Sequence, residues 1–191
     1  MKYPNSNRVY TRPKESAAHR GMSLEEDINV SNRYYLSHDI AVIHKKPTPI
    51  TIVKVDYPKR SAAKITEAYF KLASTTDYNG IYLGKYIDFE AKECESETSF
   101  PFSSIHEHQI RHLSDVLRHG AIAFIILRMC AYDKDFLIKA KDFIEFYNST
   151  RRKSLPYDWI RENGFEIASG YLKPCDYLEV VERVFGLQGD L

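Results

Sequence analysis

The sequence predicts an α/β fold with a mixed β-sheet flanked by helices, and three observations carry that prediction. First, β-type runs (ITIVKV from Ile50, AIAFIIL from Ala121, DFLIKA from Asp135) alternate along the chain with helical periodicities. Second, AIAFIIL is apolar at every position, as a strand covered on both faces requires. Third, SSIHEHQIRHLSDVLRHG sets Ile105, Ile110, Leu113, Val116 and Leu117 on one stripe, the pattern of an amphipathic helix packed on a sheet.

The remaining elements follow in order. Residues 1–21 carry Lys2, Arg8, Arg12, Lys14 and Arg20 against Glu15 alone and show no periodicity, which predicts a flexible basic arm. In SLEED, Ser23 and Glu26 have capping-box spacing, so a first helix starts there and runs to about Leu36. AVIH from Ala41 and ITIVKV read as strands joined by the proline-punctuated KKPTP. A helical segment is expected from Ser61, with Ala68, Tyr69 and Leu72 on its larger faces. DYNGIYLGKYIDFEAK reads as a hairpin turning near Gly84. KDFIEFYN reads as a helix and 156–162 as a helical turn. PCDYLEVVERVF reads as a closing helix with Pro174 near its start.

Bulk properties narrow the function classes. At 191 residues the chain suits one domain with a core of its own. A net charge of +1 gives no global pull toward nucleic acid or membrane, so any basic surface must come from local charge placement. Cys94, Cys130 and Cys175 are odd in number and far apart, which points to a reducing, cytoplasmic compartment rather than a disulfide framework. The longest apolar run has seven residues, against the roughly 20 that span a bilayer, and no signal-peptide core opens the chain.

The hairpin holds the chemistry. Ile87, Phe89 and Ala91 share one strand face, and Asp88, Glu90 and Lys92 share the other. A Leu83-Gly84-Lys85 loop sets Tyr78 across from Glu90; a Gly84-Lys85 loop sets Asp77 across from Lys92. Either register brings Asp77 within about 5–8 Å of Glu90 or Lys92, the spacing of direct and diagonal cross-strand neighbours. The same alternation fits a half-solvated strand with ordinary surface charges. Two such close carboxylates repel, and a hard divalent cation removes the conflict while gathering water and a phosphate oxygen. An ammonium beside them can hold the water or neutralise the phosphorane-like charge.

Asp77…Glu90-Ala91-Lys92, together with RGMSLEEDIN, AVIHKKPTPI, YPKRSAA, EAYFK, STTDYNGIY, YIDFEAKE, TSFPF and the HxHQIxH run, closely resembles the RecU-type Holliday junction resolvases. The likeness runs from about Arg20 to Phe185. It implies a restriction-endonuclease-like core over 22–191, with a protruding stalk over 45–74. It implies a metal-dependent endonuclease that cuts four-way DNA junctions by symmetric paired nicks, in recombination and repair, leaving 5′-phosphate ends. By the same resemblance, Asp77, Glu90, Thr75 and Gln109 match metal-site residues, Lys92 the catalytic lysine, and Arg60 an arginine of junction handling. The cofactor implied is Mg²⁺, with Mn²⁺ as substitute. The partners implied are junction DNA, a second copy of the chain and the bacterial recombinase, with no membrane.

The residues themselves support DNA contact by that region. Five Lys or Arg, among them Lys45, Lys46, Lys59 and Arg60, stand between His44 and Arg60 against the single acid Asp56, a distribution that can follow phosphates. Tyr69 and Phe70 are candidates to stack on unpaired bases. A non-catalytic junction-binding or recombinase-modulating protein is the alternative that the arm and stalk allow. His108 and His112, four apart on a helix, raise a zinc hydrolase as a third reading, although no HExxH is present.

Overall fold

The computed structural model describes residues 23–70 and 75–187. The arm expected over 1–21 and Leu72 of the expected helix lie outside the described residues.

The chain opens with helix α1 (Leu24–Ser37), closed at its start by the anticipated capping box: the Ser23 hydroxyl accepts from Glu26 N–H at 3.3 Å, and Glu26 accepts from Ser23 N–H at 3.1 Å. Strand β1 (Val42–Lys45) leads to a two-stranded ribbon, β2 (Ile50–Asp56) and β3 (Lys64–Phe70), turned by a short 3-10 segment at Arg60–Ala62. The hairpin β4 (Tyr78–Tyr82) and β5 (Lys85–Cys94) follows, then β6 (Ser99–Pro101) and helix α2 (Glu107–Arg118). Strands β7 (Ile122–Met129) and β8 (Lys134–Lys139) precede α3 (Ala140–Ser149), β9 (Ser154–Pro156), α4 (Tyr157–Asn163), β10 (Phe165–Ile167) and α5 (Tyr177–Phe185).

Six strands form one sheet in the order β1-β4-β5-β7-β8-β10. Only β5 and β7 run parallel, and α2 is the crossover that their parallel pairing demands. This is the mixed sheet that the sequence predicts. On one face α1 and α5 cover Ile87, Phe89, Ile122, Phe124 and Ile126, with Tyr78, Phe89 and Phe124 stacked 4.7–4.9 Å apart. On the other, α2, α3 and α4 cover Ala123, Ile125, Leu127 and Met129. The all-apolar β7 is therefore buried from both sides. Among the described residues, no helix is long and apolar enough to cross a membrane.

Three expectations need correction. The segment after Ser61 is not a helix but strand β3, paired antiparallel with β2 from Ile50↔Phe70 to Asp56↔Lys64. Every residue of the ribbon's two strands is exposed, so no buried face imprinted a period on the sequence, and cross-strand pairing decided the conformation. The closing helix begins at Tyr177, three residues beyond Pro174, because Asp176 is held outside it as acceptor of the Tyr35 hydroxyl at 2.8 Å.

The third correction concerns the hairpin loop, which is Leu83-Gly84. Tyr82 pairs with Lys85, and both loop residues have positive φ, 47° and 70°. Two positive values make a type I′ turn, whose twist matches the flanking strands. Leucine is an unusual occupant of its first position, which is why the two sequence registers were one and two residues off.

Gly80 on β4 faces β1 so closely that an added Cβ would lie 2.1 Å from Val42 O and 2.6 Å from Ile43 Cα. Both atoms are backbone and cannot rotate away. Gly80→Ala is expected to cost about 2 kcal/mol or more, read as a lower denaturant midpoint, in line with overpacked cores. An unchanged midpoint would show that β1 moves freely.

Candidate active site

The turn fixes the site's geometry. Tyr78 pairs with Phe89, so one step outward Asp77 stands opposite Glu90. Lys46 N–H donates to Asp77 O at 2.7 Å and so continues the β1 edge past its last strand residue. Ala91 N–H reaches Asp77 Oδ2 at 3.4 Å. Lys92 Nζ lies 2.5 Å from Glu90 Oε1 and 3.7 Å from Asp77 Oδ2. The two acids and the lysine thus meet at one point.

The strand face that carries them is covered rather than half-solvated. Helix α2 lies over it, and Asp88 and Glu90 are both 0% exposed. Asp77 and Lys92 remain partly open to solvent. Gln109, in the first turn of α2, donates from Nε2 to Glu90 Oε1 at 2.7 Å, while its Oε1 accepts from His106 N–H at 2.9 Å. Its amide carbonyl, the atom a cation takes, therefore faces the helix start. Glu90 Oε2 is buried and has no hydrogen-bond partner among the described residues. Burial pushes the Glu90 carboxyl up from 4.5 to about 8; Asp77 adds to the rise and Lys92 opposes it. An orphaned buried oxygen facing a second carboxylate fits a hard divalent cation.

Thr75 is half-buried, and its hydroxyl reaches the Thr76 carbonyl at 3.4 Å rather than either acid. Lys46 turns inward: its ammonium donates to Thr76 Oγ1 and Asp88 Oδ2, each at 2.9 Å. Lys45 pairs with Glu25 of α1. Lys59 and Arg60 are exposed at the ribbon's turn and pair with no acid among the described residues. Phe70 is 85% exposed, and Tyr69, also exposed, donates its hydroxyl to Glu67 at 3.0 Å.

Asp88 is the centre of a second polar cluster that sequence reasoning missed. Its Oδ1 accepts from the Thr76 hydroxyl, and its Oδ2 meets Lys46 Nζ, the Tyr86 hydroxyl at 2.8 Å and His112 Nε2 at 3.2 Å. Gln109 and His112, three apart on one face of α2, meet Glu90 and Asp88, two apart on one face of β5. That spacing was the readable signal. With His112 on Asp88, the zinc reading loses its pair, and no group of three or more His, Cys, Asp or Glu able to hold a metal exists among the described residues.

The chain is similar to proteins already known. A family model described as Recombination protein U matches residues 19–183. The Holliday junction resolvase RecU of Geobacillus sp. (strain WCH70) is 53% identical, covering 97% of this chain and 98% of its own length. The protein of the same name from Oceanobacillus iheyensis is 51% identical, covering 97% and 100%, and that of Pediococcus pentosaceus 52%, covering 95% and 96%. Among solved structures, Archaeoglobus fulgidus Hjc, a Holliday junction resolvase, matches at TM-score 0.36 and 13% identity over 54% of this chain and 78% of its own.

The Glu90 shift has a stability consequence. Below pH about 4.5 the carboxyl is protonated in folded and unfolded chains alike. Between that pH and about 8 only the folded chain keeps the proton, so raising the pH favours unfolding by up to about 1.4 kcal/mol per unit. Without divalent metal, the denaturant midpoint of the wild type is expected to fall relative to Glu90→Gln as pH rises from about 5 to 8. A divalent cation held by the pair should restore the wild type alone. Parallel curves for the two proteins would contradict the burial of this acid.

Proposed function

The chain belongs to the Recombination protein U family, and on that premise we propose that it is a metal-dependent endonuclease that resolves four-way DNA junctions by paired, symmetric nicks. The observation that carries this reading is the meeting of Asp77, Glu90 and Lys92 at one partly open point of the sheet. A purely DNA-binding protein has no use for a buried carboxylate facing another.

Asp77 and Glu90 would hold a divalent cation, Mg²⁺ with Mn²⁺ as substitute. Thr75 would supply a further oxygen from the loop before β4. When bound, the cation supplies an acidified water and charge neutralisation at the scissile phosphate. Gln109 holds Glu90 so that Oε1 is satisfied and Oε2 stays free. Lys92, whose ammonium stands beside both acids, would hold the attacking water or neutralise charge on the phosphate. Attack in line leaves a 5′-phosphate and a 3′-hydroxyl.

The ribbon, a hairpin with exposed strands and with Lys59, Arg60, Tyr69 and Phe70, would enter the open centre of the junction, its cations on phosphates and its aromatics on unpaired bases. A homodimer working in the cytoplasm would bring two such sites to a near two-fold substrate.

A labelled static junction tests the reading. With Mg²⁺, wild type should nick opposing strands at symmetric positions, and Asp77→Ala and Lys92→Ala should each lose about 10²-fold or more in rate. Binding without nicking in either metal would favour the non-catalytic alternative. Undiminished nicking by both variants would overturn the assignment of the site.

A further inference from the structure

Arg151, Arg152 and Lys153 join α3 to β9, and the functional reading has not used them. All three are exposed, and none pairs with an acid among the described residues. Elsewhere on the core, many surface cations are neutralised by a neighbour: Arg111 by Glu107, Lys134 by Glu166, Arg161 by Asp158, Lys173 by Asp176. Three adjacent uncompensated charges raise the local potential, and a polyanion relieves it.

The loop is also held in place. Lys153 O accepts from Phe102 N–H at 3.0 Å, and Arg152 N–H donates to Thr150 Oγ1 at 3.2 Å. Directly after it, Ser154 and Leu155 pair with Pro101 and Phe100 of β6, and Leu155 is fully buried. Phe102 is wedged edge-on against Phe143 and Tyr147 of α3. The backbone is therefore ordered before any ligand arrives, which lowers the entropic cost of binding.

Its position is tied to the active site. Phe102 begins the 3-10 turn Phe102–Ser104 that feeds α2, and the first turn of α2 places Gln109 on Glu90. The base of the β2–β3 ribbon also touches the site, through Lys46 N–H on Asp77 O. The loop and the ribbon are thus each joined to the carboxylate pair, the loop through Phe102 and α2 and the ribbon through Lys46.

We propose that the Arg151–Lys153 loop is a second phosphate-gripping element, which holds the backbone of the DNA arm whose strand runs into the Asp77–Glu90 site. The inference rests on the proposed reading that the chain acts on DNA. The partner is the sugar–phosphate backbone rather than base edges, because three flexible cations on a flat turn read charge and not sequence.

The test is the salt dependence of binding to a static four-way junction in Ca²⁺, with full-length protein. Each phosphate contact contributes about 0.9 to the slope of log K against log salt on duplex DNA. Arg151→Ala/Arg152→Ala/Lys153→Ala is expected to flatten the slope by about 2–3 and weaken binding at least tenfold at about 0.1 M salt. Arg151→Lys/Arg152→Lys should keep the wild-type slope. Lys134→Ala/Lys141→Ala, which removes paired cations, should leave it unchanged. Equal thermal midpoints establish that the triple variant is folded, which its exposed side chains and backbone anchors favour. A triple variant with the wild-type slope, or a lysine variant as flat as the alanine one, overturns this inference while the nuclease reading stands. A wild type that neither binds nor cuts the junction overturns both.

Discussion

Two carboxylates brought face to face, one of them sealed under a helix, form the constraint on which the rest of the molecule depends. Glu90 is buried on the α2 side of the sheet, and a carboxylate in that position resists ionising unless opposite charge or hydrogen bonds meet it. Lys92 and Gln109 both spend themselves on Oε1, so Oε2 is left over. The Leu83-Gly84 turn sets the consequence. A slip of one residue would move Asp77 away from Glu90 and dismantle the pair.

Asp88 shows what the same strand does with an acid meant only for structure. It shares the face and the burial of Glu90, yet Lys46, Thr76, Tyr86 and His112 converge on it and fill its acceptor sites. Breaking such a buried pair from one side typically costs about 3–5 kcal/mol. That clasp joins the end of β1, the approach to β4, β5 and α2, so it steadies the strand that carries Glu90 and the point where the ribbon departs. Two residues apart, one acid has its oxygens met from several sides and the other keeps an unpartnered one.

Much of this was legible in the sequence, and the parts that were not have physical reasons. Ser23 and Glu26 announced α1, the apolar β7 announced a covered strand, and the stripe of α2 announced its buried face. The alternation of β5 put Asp88, Glu90 and Lys92 together. Strand β3 was misread because every residue of it is exposed, so its pairing with β2 left no periodic trace. Strands β6, β9 and β10 have three residues each, too few to show a period. The clasp joins positions 46, 76, 86, 88 and 112, a set only the fold brings together. Lys46 looked like a phosphate contact by composition, and its ammonium is instead committed inward. Arg151–Lys153 was overlooked because three charges make a short run; what sets it apart is that the run is consecutive and that Lys153 O is bonded to Phe102 N–H.

The most direct measurement is anomalous-difference crystallography of the protein soaked with Mn²⁺. The predicted result is one strong peak bridging Asp77 and Glu90, within about 2.0–2.4 Å of an oxygen from each, with the Asp88 cluster undisturbed. A peak on Asp88 and His112, or none near Glu90 Oε2 under conditions that support cleavage, would contradict the shared-ion site.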